Sequence, residues 1–255
     1  KDLLIMLIKR DVIIVYKQTI LGPIWFVMQP ILTAIIFTFV FGNVAGLPSD
    51  GLPRFAFYLC GLVLWNFFSD SFIKTSDTFF TNQNVFGKVY FPRLIIPLGI
   101  TASSFIKFSV QFVLLIGVCV YHYIKGEASA SIYIVYLPFV LLISAMLSTG
   151  LGLIFTSLTT KYRDLKFLLQ FGVQLIMWLS PVIYPLSIVS DSPLRLLLLK
   201  LNPITHLLEM IKLGFLGNGF FTPLWFLYSA IFSIIIFFIG ITVFSKTEKN
   251  FIDRI

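Results

Sequence analysis

The sequence predicts an all-α membrane protein. It reads as six transmembrane helices, an amphipathic helix lying along the membrane before the first of them, and short re-entrant helices before the last. Three observations carry this. The 255 residues are 58% hydrophobic and only 12% charged, more apolar than a soluble domain of this size needs. The apolar residues fall into separate runs close to the roughly 20 that cross a bilayer. The cations between those runs are unevenly shared between the two sides.

Residues 1–20 form the first element. Lys9 or Arg10 and Lys17 lie about two helical turns apart, so they share a stripe, with Leu, Ile and Val on the other faces. Such a helix rests in the membrane interface with its cations toward anionic head groups. Gly22-Pro23 then breaks it, because Pro lacks an amide donor and restricts the residue before it. Leu21-Gly22 is therefore an elbow from which the chain dives into the bilayer. The first two spans are residues 25–42 and 55–76, joined by a loop with two Gly and two Pro. Residues 78–93 are polar. The third and fourth spans are 94–121 and 132–158, and the compact loop TTKYRDLK follows. The fifth, 167–189, is interrupted by Pro181 and Pro185. Residues 190–222 are too punctuated to cross. Within them Asn202-Pro203 reads as an N-cap with Pro at the first helical position, opening a helix that ends near Gly214. These short pieces fit a re-entrant outer gate. The sixth span is 224–244, before a charged tail.

Six spans put both termini on one side. That side carries thirteen cations: Lys1, Lys9, Arg10 and Lys17; Lys74, Lys88 and Arg93; Lys161, Arg163 and Lys166; and Lys246, Lys249 and Arg254. The other carries five: Arg54, Lys125, Arg195, Lys200 and Lys212. The richer side is predicted to be cytoplasmic. The net charge of +8 is thus topological and no sign of nucleic acid.

No pattern for catalysis emerges. There is no GxxxxGK[ST] phosphate loop and no HExxH pair, and no carboxylates are spaced for acid–base work. His122 and His206 read as surface histidines, and Cys60 and Cys119 as packed thiols rather than a disulfide or metal site. No metal site is expected. Asp70 and Lys107 are charges inside spans and must face protein or water. Lys107 lies about 20 Å of helix from the inner end of span three, and Asp70 lies shallower, so their pairing is expected to be weak. Trp25, Trp65 and Trp225 fit interfacial anchors. Tyr58, Trp65, Phe67 and Phe68 in span two are the best candidates for an aromatic wall along a passage, because flat rings suit the C–H faces of sugars.

Four blocks carry a family resemblance: RDVIIVYKQTILGPIW (10–25), NVFGKVYFPRLIIPL (84–98), KYRDLKFLL (161–169) with SPVIYP (180–185), and LNPITHLLEMIK (201–212). In that order and spacing they resemble the membrane subunit of ABC-2 type polysaccharide exporters. The resemblance implies an ABC-2 (type V exporter-like) fold in the bacterial inner membrane. It implies a homodimer with two copies of a separate ATP-binding subunit that holds ATP-Mg; no cofactor is expected in this chain. It also implies a coupling helix within 78–93, with Asn84, Lys88, Tyr90, Arg163 and Asp164 facing the ATPase. Arg10, Lys17, Leu21, Gly22, Lys88 and Arg93 would form the place where an undecaprenyl-pyrophosphate-linked glycan is admitted. Pro181, Pro185, Asn202 and Pro203 would form the outer gate. Gly87 departs from the family, whose members often have a second basic residue there. The cargo expected first is O-antigen of lipopolysaccharide. Alternatives are teichoic acid, a drug or a lipid and, more remotely, a membrane-embedded transferase acting on polyprenyl-linked sugars.

Overall fold

A computed structural model describes residues 2–16, 22, 24–82, 92–160, 162, 164–189 and 193–252. Every regular element among the described residues is helical. In chain order they are α1 (Asp2–Tyr16), α2 (Ile24–Phe37, continued by a π-helical stretch Thr38–Val44), α3 (Arg54–Ser76), α4 (Thr78–Thr81), α5 (Ile95–Ile124), α6 (Leu137–Thr159, entered through a 3-10 turn Ile132–Tyr136), α7 (Leu165–Leu179), α8 (Pro193–Leu201), α9 (Pro203–Leu216) and α10 (Pro223–Ile252).

α3 is the axis of the bundle. From Ala56 to Trp65 its sequence is apolar on every side, which marks a helix surrounded by protein, whereas Asn66, Asp70 and Lys74 put a polar stripe on its second half. Ala56 to Leu64 are all buried. Helices α2, α5, α6 and α9 pack around it. The most extensive contact is between α6 and α10, and two glycines allow it. A Cβ on Gly150 would lie 2.7 Å from the backbone of Phe237, and one on Gly240 would lie 2.5 Å from the Gly150 carbonyl. Small residues let helices meet at backbone distance inside a membrane, where dispersion and not the hydrophobic effect drives association. A smaller cluster about one turn further along α6, built from Leu7, Phe79, Ile96, Ile100, Leu153 and Phe244, fastens α1 to the start of α5 and the second half of α10.

Among the described residues, five helices are long and apolar enough to cross a bilayer: Ile24–Val44, Arg54–Ser76, Ile95–Ile124, Ile132–Thr159 and Pro223–Glu248. These match the expected spans one to four and six within a few residues. The fifth differs. A continuous span over 167–189 is not formed: α7 is 15 residues, or about 22 Å. It stops because Pro181 and Pro185 each lack an amide donor. Ser180, Pro181, Val182 and Ile183 continue as buried non-helical chain. Backbone of this kind at membrane depth needs internal partners, and it has them. The Lys212 ammonium donates to the Pro181 carbonyl, and Asn202 donates to Ser180 Oγ at 2.9 Å, whose own hydroxyl donates to Ile176 O.

Candidate functional site

At the end of the bundle where α1 lies, a row of charges runs inward. Lys9 and Arg10 are neighbours in sequence but about 100° apart on the helix, so they part company. Lys9 is exposed, whereas Arg10 turns in, to Asp11 at 2.8 Å and to Asn82 Oδ1 at 3.1 Å. The expected shared cationic stripe therefore splits. Arg10, Asp11, Lys74, Asp77, Asn82 and Ser103 line a cavity of about 400 Å³ between α1, α3 and α5. Lys166, from the start of α7, pairs with Asp77. Lys74 lies 3.5 Å from Asp70 Oδ2, and the same oxygen accepts from Lys107 at 2.8 Å.

The Asp70–Lys107 pair corrects the expectation that their depths mismatch. Side chains lean toward the N-terminus of their own helix. α3 and α5 run in opposite directions, so Asp70 leans away from the α1 end and Lys107 leans toward it. The two meet between their Cα levels. An unpaired charge at mid-span costs about 2.5–3.5 kcal/mol to insert, and this contact offsets much of that. Lys107 also reaches a second cavity of about 400 Å³, lined by Trp25, Phe26, Gln29, Leu32, Thr33 and Ile36 of α2.

At the opposite end α9 is not an interfacial helix resting on the membrane. From Ile204 to Lys212 every residue is buried. Asn202 caps it, accepting from Ile204 N at 3.3 Å, as Asn202-Pro203 predicts. It runs past Gly214 to Leu216, and Gly217 closes it in the left-handed region at φ 79°, which glycine adopts at little cost. Lys212, counted among the outer-side cations, is 1% exposed and pairs with Glu209 at 3.1 Å. Its ammonium also sits 4.0 Å from the Phe57 ring centroid. The other Glu209 oxygen accepts from Phe220 N at 3.0 Å. His206 is likewise interior, 6% exposed, bonded to the Lys200 carbonyl at 2.7 Å and stacked on Trp225. Burial pushes the His206 pKa down.

The remaining expected site residues fall as follows. Gly22 adopts φ 50°, and its carbonyl accepts from Trp25 N to start α2. Arg93 lies 3.6 Å from Glu248 of α10. Asp164 accepts through its carbonyl from Phe167 N at the start of α7. Lys17, Leu21, Asn84, Lys88, Tyr90 and Arg163 lie outside the described residues, as does most of the stretch 78–93 expected to hold a coupling helix, in which residues 78–82, 92 and 93 are described. The four rings expected along a passage, Tyr58, Trp65, Phe67 and Phe68, are 1–4% exposed within this chain, and Phe67 lines a cavity of about 600 Å³ beside Phe105 and Phe237. Phe67 packs edge-on or tilted against Phe105 and Phe108, and Tyr58 against Phe37 and Phe57. Trp65 is accordingly no interfacial anchor. Cys60 and Cys119 are buried free thiols, as expected.

Long apolar helices around a buried axis, with charged cavities at one end, make up a multi-pass membrane protein. The chain belongs to the ABC-2 type transporter family, whose pattern it matches over residues 2–216. It is 24% identical over 257 residues to an O-antigen export system permease protein of Klebsiella pneumoniae, covering 99% of this chain and 94% of that one. It is 24% identical to an O-antigen export system permease protein of Myxococcus xanthus, covering 100% and 96%. It is 21% identical to the polysialic acid transport protein of Escherichia coli, covering 90% and 87%.

Proposed function

We propose that this chain is the permease half of an ATP-driven exporter that moves a lipid-linked polysaccharide, O-antigen in the first instance, out of the bacterial cytoplasm across the inner membrane. The observation that carries this reading is end-to-end similarity to O-antigen export permeases of two distant bacteria, with at least 94% of each relative covered. Two copies form the pathway. Two copies of a separate ATP-binding subunit, holding ATP-Mg, dock on the side bearing α1 and the charged tail, which is cytoplasmic by its excess of Lys and Arg. The energy comes from that subunit, and this chain converts its motion into an opening. Asn84, Lys88, Tyr90, Arg163 and Asp164 face the motor. The chain from α7 through Pro185 makes the fifth of the six crossings, and α9 closes the outer side. The glycan's undecaprenyl pyrophosphate head is admitted beside the elbow at Leu21-Gly22, where Arg10, Lys17, Lys88 and Arg93 offer charge-assisted donors.

The test is deletion of this chain in its own cell, followed by complementation. Surface polysaccharide should vanish and lipid-linked polymer accumulate inside. Both should be restored only when the chain co-purifies with an ATP-binding subunit able to hydrolyse ATP. Export that persists with an inactive ATPase, or a cargo without a glycan, contradicts the reading. A capsular polymer as cargo would place the chain nearer its polysialic acid relative.

A further inference from the structure

Lys107 stands between the two cavities, and the charges around it do not balance. Among the described residues, Arg10, Lys74, Lys107 and Lys166 along the row face Asp11, Asp70 and Asp77. Arg10 and Lys166 each have a carboxylate at hand, so Asp70 is left to serve two ammoniums through one oxygen, Lys107 at 2.8 Å and Lys74 at 3.5 Å. Among these described groups one positive charge is in excess, and Lys107, at 16% exposed, is the less solvated of the two ammoniums that share Asp70. Lys107 is also the cation that opens on the α2 cavity, where Gln29 and Thr33 are the other polar side chains. A polar, exposed Gln29 in the middle of an apolar helix adds an amide donor to the same wall. We propose that this cavity is an anion site within the membrane, in which Lys107 and Gln29 bind the phosphate group of a membrane lipid. Arg10 and Lys74 hold such a group in the first cavity, and Asp70 yields Lys107 to it as it passes into the second. Where the lipid is the polyprenyl carrier, the inference rests on the function proposed above.

The experiment uses the full chain with its ATP-binding subunit in nanodiscs, titrated with undecaprenyl pyrophosphate or with phosphatidylglycerol and read by native mass spectrometry. Lys107→Ala should weaken binding of whichever lipid binds at least tenfold. Asp70→Asn should leave it as tight as in the unchanged protein or tighter, because it removes the competing carboxylate and keeps the ammonium. A pair with a merely structural role predicts loss in both variants, and that result overturns the site. Undecaprenyl pyrophosphate bound equally well by Lys107→Ala also overturns it, with the proposed export function intact. Phosphatidylglycerol bound through Lys107 with no affinity for undecaprenyl pyrophosphate supports the site and counts against the polyprenyl cargo.

Discussion

The molecule holds two lysine–carboxylate pairs inside apolar helices, and they differ in everything but chemistry. At the α9 end, Lys212 and Glu209 are 1% and 4% exposed, and each finds further partners in Pro181 O, Phe220 N and the Phe57 ring. Near the α1 end, Lys107 and Asp70 are 16% and 26% exposed, Asp70 is shared with Lys74, and a cavity adjoins the ammonium. The first pair ties a broken span, a re-entrant helix and a turn into one unit. A buried ion pair is rarely a net gain over apolar packing, but removing one partner strands the other at high cost. The second pair keeps access to water and to anions, so its strength can be exchanged. The same residue types thus make a fastener where every valence is filled and a site where one is left over.

The contrast can be broken most forcefully at Lys212. Lys212→Ala should cost about 3–5 kcal/mol, seen as loss of folded protein in detergent and a large fall in thermal midpoint. Replacing Glu209 and Lys212 together by Gln and Met should recover part of it. The next largest effect is expected at the α6–α10 crossing. Gly150→Ala drives a methyl against the Phe237 backbone at 2.7 Å, an overpacking cost of about 1–3 kcal/mol, measurable as a lower midpoint with export per folded molecule retained. Asn202→Ala removes the α9 cap and the bond to Ser180, about 1 kcal/mol by capping alone, and should raise protease sensitivity around 180–202.

The smallest effect is a pH dependence at His206. Burial depresses its folded-state pKa below the ordinary value of 6.5. The unfolded chain therefore binds the proton more readily, and stability rises with pH through that range. The stabilisation is full above the unfolded value and is lost as pH falls through the lower folded one. His206→Gln should flatten that slope in unfolding curves taken from pH 7.5 to 5.

Much of this was legible in the sequence. The spans are set by runs of apolar residues, and Asn202-Pro203 marks the start of α9 because a side-chain acceptor and a residue needing no amide donor suit that position alone. The sequence was less informative where neighbours decide. Four rings in α3 read equally as a pore wall or as core, and only the unbroken apolar run Ala56–Trp65 favours core, since Asn66, Asp70 and Lys74 make the rest of the helix polar on one side. Lys212 read only as one of the outer-side cations, although Glu209 three residues earlier on the same helix face was the available sign of an interior pair. The depth of Asp70 and Lys107, counted from Cα positions, missed that antiparallel helices lean their side chains toward one another.

The most direct test measures export and folded abundance together for Lys107→Ala and Lys212→Ala. Lys107→Ala should keep near-normal abundance and lose most surface polysaccharide, while Lys212→Ala should lose abundance, with export falling in proportion. Full export per folded molecule from Lys107→Ala, or an abundant and stable Lys212→Ala protein, would contradict the division between site and fastener.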